Sequence, residues 1–450
     1  MKKYSVSEIL IDNIRFPNIG LGAVDSLPIE VKGALPGQRL SIRLVKKGKI
    51  NKGQVLEVLQ PAPREIVPAC PVFGLCGGCA FQHIPYDYEV ELKTQMVKEI
   101  FADFSMDDKF LSTLPAITAY GYRNKMEYSF GDDGEGGNLT LGMRKKGSYY
   151  EAVDASGCLL CHGDFGKIQS ATLAYFKGVG AHFFHRRKGV GSLRHLVIRH
   201  GVNTGELLVN LVTAGDGDYS DYTRLLLDLP LDGAIVGILN TINNSLADAV
   251  RPEEVKILHG RDYFNESFVN SDMRYKIPAF SFFQTNTGMT EALYAAIANC
   301  TGDLADKTVF DLYCGAGTIG LYLAKTAGAG RVVGVEIVED AIISARENAR
   351  LSGVDCDFIV GDVRKIVKEL DGAPDVIILD PPREGVAPKA IPDILAFGAK
   401  KIVYVSCKPT SLAANLPAFL EGGYTVGKVQ CVDMFPRTAN VEVVMELCRT

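Results

Sequence analysis

The sequence predicts a multi-domain α/β chain: a small OB-like β-barrel first, a β-rich middle, and a doubly wound parallel sheet last. Three observations carry this. Short apolar runs separated by turns fill residues 1–60, and glycine-laden turns punctuate residues 117–265. From about residue 275, strand-like runs at 309–313, 332–336, 357–360, 376–380 and 401–406 alternate with helical stretches. A chain of 450 residues suits roughly two to four domains. We divide it at 1–61, 62–265 and 266–450.

In the first unit, Pro36-Gly37 and Lys47-Gly48 separate runs such as Leu40-Ser41-Ile42-Arg43-Leu44 and Val55-Leu56-Glu57-Val58-Leu59. Small barrels of this kind often bind single-stranded nucleic acid. Residues 1–60 hold ten Lys and Arg (Lys2, Lys3, Arg15, Lys32, Arg39, Arg43, Lys46, Lys47, Lys49, Lys52) against five acids. That segment is net +5, so with −5 overall the remainder is −10. A basic module on an acidic body points to a polyanionic partner, or else to a solvated charged face. Pro61-Ala62-Pro63 breaks the pattern.

The middle opens on a cysteine-rich segment. Cys70, Cys76 and Cys79, spaced x5 then x2, could bind zinc or an iron–sulfur cluster, with Cys158 or Cys161 as fourth ligand. Residues 86–104 read as helix, with Val90, Met96, Val97 and Ile100 apolar. Gly131-Asp132-Asp133-Gly134 and Gly136-Gly137 read as turns.

In the last unit, Asp311-Leu312-Tyr313-Cys314-Gly315-Ala316-Gly317 follows a strand and opens a helix. Gly315 and Gly317 let the backbone approach a ligand. Glu336, ending the next strand, could accept hydrogen bonds from ribose hydroxyls, and Asp362 ends a third strand where an adenine amino group would lie. An adenosylmethionine site is expected; a dinucleotide dehydrogenase is the alternative. Asp380-Pro381-Pro382-Arg383 and Ser406-Cys407-Lys408-Pro409 close the fourth and fifth strands. Cys407 is positioned as a nucleophile would be, whereas Cys300, Cys314 and Cys356 read as core. A thiolate adding to C6 of uracil makes C5 nucleophilic toward a methyl donor, and a base must then remove the C5 proton. Glu442, between Val441 and Val443 on a late strand, is the candidate base.

With these motifs in hand, the chain resembles the RNA uracil-C5 methyltransferases, in particular the bacterial 23S ribosomal RNA branch. The likeness runs end to end. It takes in an N-terminal TRAM domain, the cysteine segment, Phe283-Gln284-Thr285-Asn286, the 311–317 turn, Asp380-Pro-Pro-Arg, Ser406-Cys407 and the final Pro436-Arg437-Thr438-Ala439-Asn440-Val441-Glu442. It implies Cys407 as nucleophile, Glu442 as base, S-adenosylmethionine contacts from Gln284, Tyr313, Glu336 and Asp380, and a [4Fe-4S] cluster on Cys70, Cys76, Cys79 and Cys158. Asn440 stands where many members have His.

A flipped base would need partners beside the pocket. Tyr122-Arg123-Asn124-Lys125 resembles a substrate-side segment of the family. Arg144-Lys145-Lys146, His185-Arg186-Arg187-Lys188 and Arg194-His195 could continue a phosphate track. No apolar run approaches the roughly 20 residues a membrane helix needs, and the first residues carry no apolar signal core. A cytoplasmic protein is therefore expected, and we expect a monomer; the resemblance implies 23S ribosomal RNA as its substrate. The rivals are the same chemistry on transfer RNA, a radical methylthiotransferase with its different cysteine spacing, and a non-catalytic iron–sulfur RNA-binding protein.

Overall fold

The computed structural model describes residues 6–47, 50–134, 136–246, 250, 252–366, 370 and 372–450. Lys2, Lys3, Gly48, Lys49 and the side chains of Lys46 and Lys47 lie outside the described residues. Five strands, β1 (Val6–Arg15), β2 (Ile19–Val24), β3 (Leu27–Lys32), β4 (Arg39–Lys47) and β5 (Ile50–Gln60), close a barrel in the order β1-β2-β3-β5-β4. Ile9, Ile11, Ile29, Val31, Leu40 and Ile42 fill it, because alternation sends these positions inward. The run at 55–59 is part of barrel strand β5, as expected, but its apolar side chains face outward. Val55, Leu56, Val58 and Leu59 are all exposed, on a strand whose pairing with β4 shifts register twice. A run without strict period-2 alternation cannot keep one face buried.

Helix α1 (Tyr86–Ile100) ends earlier than the pattern suggests, followed by 3-10 turns at Ala102–Phe104 and Asp107–Lys109. Next come β6 (Lys125–Asp132), β7 (Leu139–Arg144), β8 (Ala152–Asp154), α2 (Gly163–Gly178), β9 (Leu193–His200), β10 (Glu206–Thr213), α3 (Ser220–Leu227), β11 (Ala234–Ile242) and β12 (Glu254–Gly260). The strands form one sheet in the order β12-β11-β10-β9-β6-β7-β8. Gly131 and Asp132 belong to β6, not to the turn after it. A Cβ on Gly131 would lie 2.1 Å from the Tyr150 carbonyl oxygen, so glycine serves close backbone approach there.

A hairpin of β13 (Tyr263–Phe268) and β14 (Met273–Pro278) leads through α4 (Thr287–Thr301) to the last sheet. Its members are β15 (Thr308–Leu312), α5 (Thr318–Thr326), β16 (Arg331–Glu336), α6 (Glu339–Ser352), β17 (Asp357–Val360), α7 (Val363–Ile366), β18 (Val376–Leu379), α8 (Ile391–Ala396), β19 (Lys401–Ser406), α9 (Pro409–Glu421), β20 (Tyr424–Val432) and β21 (Glu442–Arg449). The order is β17-β16-β15-β18-β19-β21-β20, with β21 antiparallel to both neighbours. Successive residues of β15 point to opposite faces: Val309 joins the core that includes α4 and the hairpin, and Phe310 the core that includes α9, with its ring edge-on to Phe397. Far upstream in the chain, Val97 of helix α1 and Phe101 just after it belong to the same core as Phe310. Among the described residues no helix is long and apolar enough to cross a membrane.

Candidate active site

The sheet order reverses at β15, and the carboxyl ends of its strands line the crevice where such folds bind ligands. The turn after β15 holds three residues in the left-handed region: Tyr313 (φ 69°), Gly315 (φ 54°) and Gly317 (φ 74°). The amides of Tyr313 and Cys314 both donate to the Val335 carbonyl at 3.0 Å, which pins the turn to β16. Gly315 N donates to Glu336 Oε2 at 3.1 Å and Val338 N to Oε1 at 3.0 Å, so both carboxylate oxygens are oriented from the backbone. A Cβ on Gly317 would meet the Phe358 ring at 2.6 Å. Asp311 Oδ2 accepts from Gly320 N at 3.0 Å, and burial pushes the Asp311 pKa up to about 7. Asp362 is gripped by Arg364, with Nε at 2.9 and 3.0 Å and Nη2 at 2.5 Å, which holds its carboxyl below the usual range. Gln284 is buried; its carbonyl accepts from Asn124 Nδ2 at 2.9 Å.

Asp380 follows β18, Cys407 follows β19, and Glu442 opens β21. Ser406 pairs with Val443 across antiparallel strands, so Cys407 and Glu442 are the next residues outward on adjacent strands. Burial raises the Cys407 thiol pKa, Glu442 and Asp380 raise it further, and the Arg383 guanidinium opposes them. Glu442 is only 3% exposed, and burial together with Asp380 pushes its pKa up to about 8. Asp380 rises to about 7 through burial. Displaced titrations of this kind concentrate where acid–base work is done. Arg383, the last residue of the Asp380-Pro-Pro-Arg motif, carries no role in the sequence reading. The structure puts it beside both Cys407 and Glu442, on a turn secured by Ser411 Oγ donating to the Arg383 carbonyl at 2.6 Å and by Val386 N donating to Asn415 Oδ1 at 2.9 Å. Asn440 N donates to Thr438 Oγ1 at 3.2 Å. Cys300 and Cys314 are buried; Cys356 is partly exposed.

The cysteine segment folds as tight turns, with Gly74 left-handed and Cys76 N donating to the Val72 carbonyl at 3.0 Å. It bridges the chain after β7 (Cys76 to Lys145), and β7 pairs with β8, which leads into Cys158. Cys158 thereby falls within electrostatic range of Cys76 and Cys79, which Cys70 also reaches. Cys161 is buried within the central core, near the Tyr128 hydroxyl at 3.8 Å, and Cys158 packs against the same core at its edge. Burial and mutual repulsion push the Cys76 thiol up and Cys79 up to about 12, while hydrogen bonds from Gly78 N (3.3 Å) and Gln82 Nε2 (3.2 Å) oppose this. Cys158 goes the other way: a hydrogen bond with Cys161 lowers its thiol to about 6, and soft thiol donors of this kind suit a soft, positively charged guest.

Several basic-cluster expectations are corrected. Arg194 and His195 are buried, with Arg194 Nη1 donating to the Asn243 and Ser245 carbonyls at 2.7 and 2.6 Å, so they do not face an RNA backbone. Tyr122 is buried, its hydroxyl donating to the Pro436 carbonyl at 3.0 Å, and Asn124 bonds to Thr287. Lys145 pairs with Glu151. Arg187 and Lys188 are exposed.

A doubly wound sheet in this strand order, with an antiparallel strand slotted in before the edge, defines a methyltransferase-type fold. The tRNA (uracil-5-)-methyltransferase family matches residues 243–450. RNA methyltransferases of Clostridium tetani and Caldanaerobacter subterraneus are 43% and 41% identical, covering 100% and 99% of this chain and 99% of each relative. A Pyrococcus abyssi tRNA (uracil-54, C5)-methyltransferase, solved with S-adenosyl-L-homocysteine, superposes with TM-score 0.78 at 26% identity, over 98% of this chain and 99% of that one. The chain belongs to the RNA uracil-C5 methyltransferase family.

Proposed function

We propose that the protein methylates C5 of a uridine in 23S ribosomal RNA, with S-adenosylmethionine as methyl donor and a covalent Cys407–C6 adduct. The observation that carries the chemistry is the pairing of Ser406 with Val443, which sets a half-buried thiol beside a buried carboxyl whose pKa lies near neutrality. The Cys407 thiolate adds to C6, and the C5–C6 π electrons shift toward the C4 carbonyl. C5 then takes the methyl group, and the electrons of the broken bond stay on the donor's sulfur. Glu442 accepts the C5 proton, the C5–C6 double bond re-forms, and the thiolate leaves. Arg383 steadies the thiolate, since it lowers the Cys407 pKa. Tyr313, Gly315, Gly317, Glu336, Asp362, Asp380 and Gln284 would hold the donor. The demethylated form of that donor, S-adenosyl-L-homocysteine, bound in the Pyrococcus abyssi enzyme supports this.

Cys70, Cys76, Cys79 and Cys158 would hold a [4Fe-4S] cluster, which the all-thiol donor set fits. The cluster would fix this segment; methyl transfer requires no electron from it. We read the chain as three units, 1–61, 62–265 and 266–450, working as a cytoplasmic monomer. The transfer RNA reading is favoured by the likeness to the Pyrococcus abyssi enzyme. Mass mapping of 5-methyluridine in ribosomal and transfer RNA from a deletion strain separates the two. Loss confined to transfer RNA refutes the ribosomal assignment.

A further inference from the structure

Four consecutive carbonyls precede the base-bearing strand, and each accepts a hydrogen bond from a different part of the chain. Asn286 Nδ2 donates to Met434 O at 3.0 Å, Lys93 Nζ to Phe435 O at 3.1 Å, and Tyr122 Oη to Pro436 O at 3.0 Å. The amides of Ala80 and Phe81 donate to Arg437 O at 2.8 and 3.2 Å. Lys93 lies at the centre. It is fully buried, and its ammonium also contacts Glu89 Oε1 and Asp433 Oδ1, both at 2.8 Å. Tyr86 Oη donates to Asp433 Oδ2 at 2.8 Å. Glu89 Oε1 accepts from Arg437 N at 2.6 Å, and Arg437 Nη1 donates to Ile84 O at 2.9 Å. Arg437 itself is left-handed (φ 66°) and buried.

Such a network is costly to bury unless its members are partnered, and partnering fixes one arrangement; of its atoms Arg437 Nε has no hydrogen-bond acceptor, while the guanidinium lies over the Tyr86 and Tyr120 rings. It does not reach the reacting atoms. It fixes the loop 433–440, which runs into Glu442, and its last anchor, Ala80, directly follows Cys79. We propose that Lys93, Glu89 and Asp433 are positioning residues for proton abstraction, and that through Arg437 they couple the cysteine segment to the placement of Glu442. The proposal rests on Glu442 being the base. Methyl transfer depends on Cys407 and the donor crevice, so the network acts on the last step, release of the RNA from Cys407.

The test uses the full-length holoprotein, methyl-labelled S-adenosylmethionine, and total ribosomal and transfer RNA from a deletion strain. Asp433→Asn removes the carboxylate that anchors Lys93, and Tyr122→Phe removes one bond to the loop while leaving the charges intact. A misplacement of about 1 Å costs roughly a hundredfold in rate. Both variants should therefore form the methylated adduct in the first turnover at wild-type rate yet release it more slowly, by about tenfold or more for Asp433→Asn and less for Tyr122→Phe. The labelled protein–RNA band should accumulate on a denaturing gel, with donor affinity unchanged, and Asp433→Glu should partly restore release. The proposal is overturned if folded variants release product at wild-type rate, or if methyl transfer and release slow together with no band. Should Asp433→Asn fail to fold, Tyr122→Phe decides alone. Glu442→Gln runs alongside: no band in that variant removes the base assignment itself, whereas a band there with none in the network variants removes only the positioning role.

Discussion

Replacing Glu442 with Gln should stall the enzyme after methyl transfer. Gln keeps the shape but cannot accept a proton. The carboxyl is 3% exposed, with a pKa near 8. At pH 7 roughly one molecule in ten therefore carries the active carboxylate. Losing a general base costs about 10²–10⁴-fold, and that loss should fall on adduct decay alone. The assay is a denaturing gel after single turnover with methyl-labelled donor. A slow-migrating labelled band should persist in Glu442→Gln and be missing when Cys407→Ala is added. In wild type, adduct decay should quicken about tenfold per unit between pH 6 and 7 and level off above about pH 8. The same shift affects stability. The folded pKa lies above the ordinary 4.5, so the carboxyl's contribution is intact below that value and is lost as pH rises through about 8. Glu442→Gln should thus gain thermal stability relative to wild type at pH 9 compared with pH 5. Decay at wild-type rate in Glu442→Gln, or decay independent of pH, would refute the reasoning and turn attention to Asp380.

Three further outcomes are expected. Cys407→Ala should lose methylation by at least about a thousandfold while keeping donor affinity by calorimetry, since the donor crevice lies on other strand ends. Anaerobically purified protein should be brown with about four iron per chain; Cys158→Ser should bleach it, whereas Cys161→Ser should only lower the melting temperature, and a colourless zinc protein would refute the cluster. Gly317→Ala should cost about 1–3 kcal/mol and weaken donor binding, because the residue sits at φ 74° and its new Cβ meets the Phe358 ring; an unchanged melting temperature would show the turn to be slack.

The order of strands in the last sheet and the antiparallel β21 came only from the structure, whereas its parallel strands, its glycine turn, and the acids and thiol at its strand ends were legible in the residues alone. Each is a short-range signal: an apolar run sets a strand, and the residue that ends it must lie at the crevice. The barrel was legible for the same reason, except along 55–59, where the pattern cannot say which face stays bare. Burial of Tyr122, Arg194 and His195 was not legible, because a basic or aromatic tripeptide reads the same on a surface as beneath one. The choice of Cys158 over Cys161 came from resemblance; the fold adds that β8 carries Cys158 to the other thiols while Cys161 turns into the core. Glu89 and Lys93 are an i, i+4 pair on helix α1, whereas Asp433 lies 340 residues from Lys93. Periodicity reports neighbours within one element. Which distant carboxylate meets a buried ammonium is decided only when helix α1 packs on the last sheet, where a low dielectric makes every unpartnered charge too costly to keep.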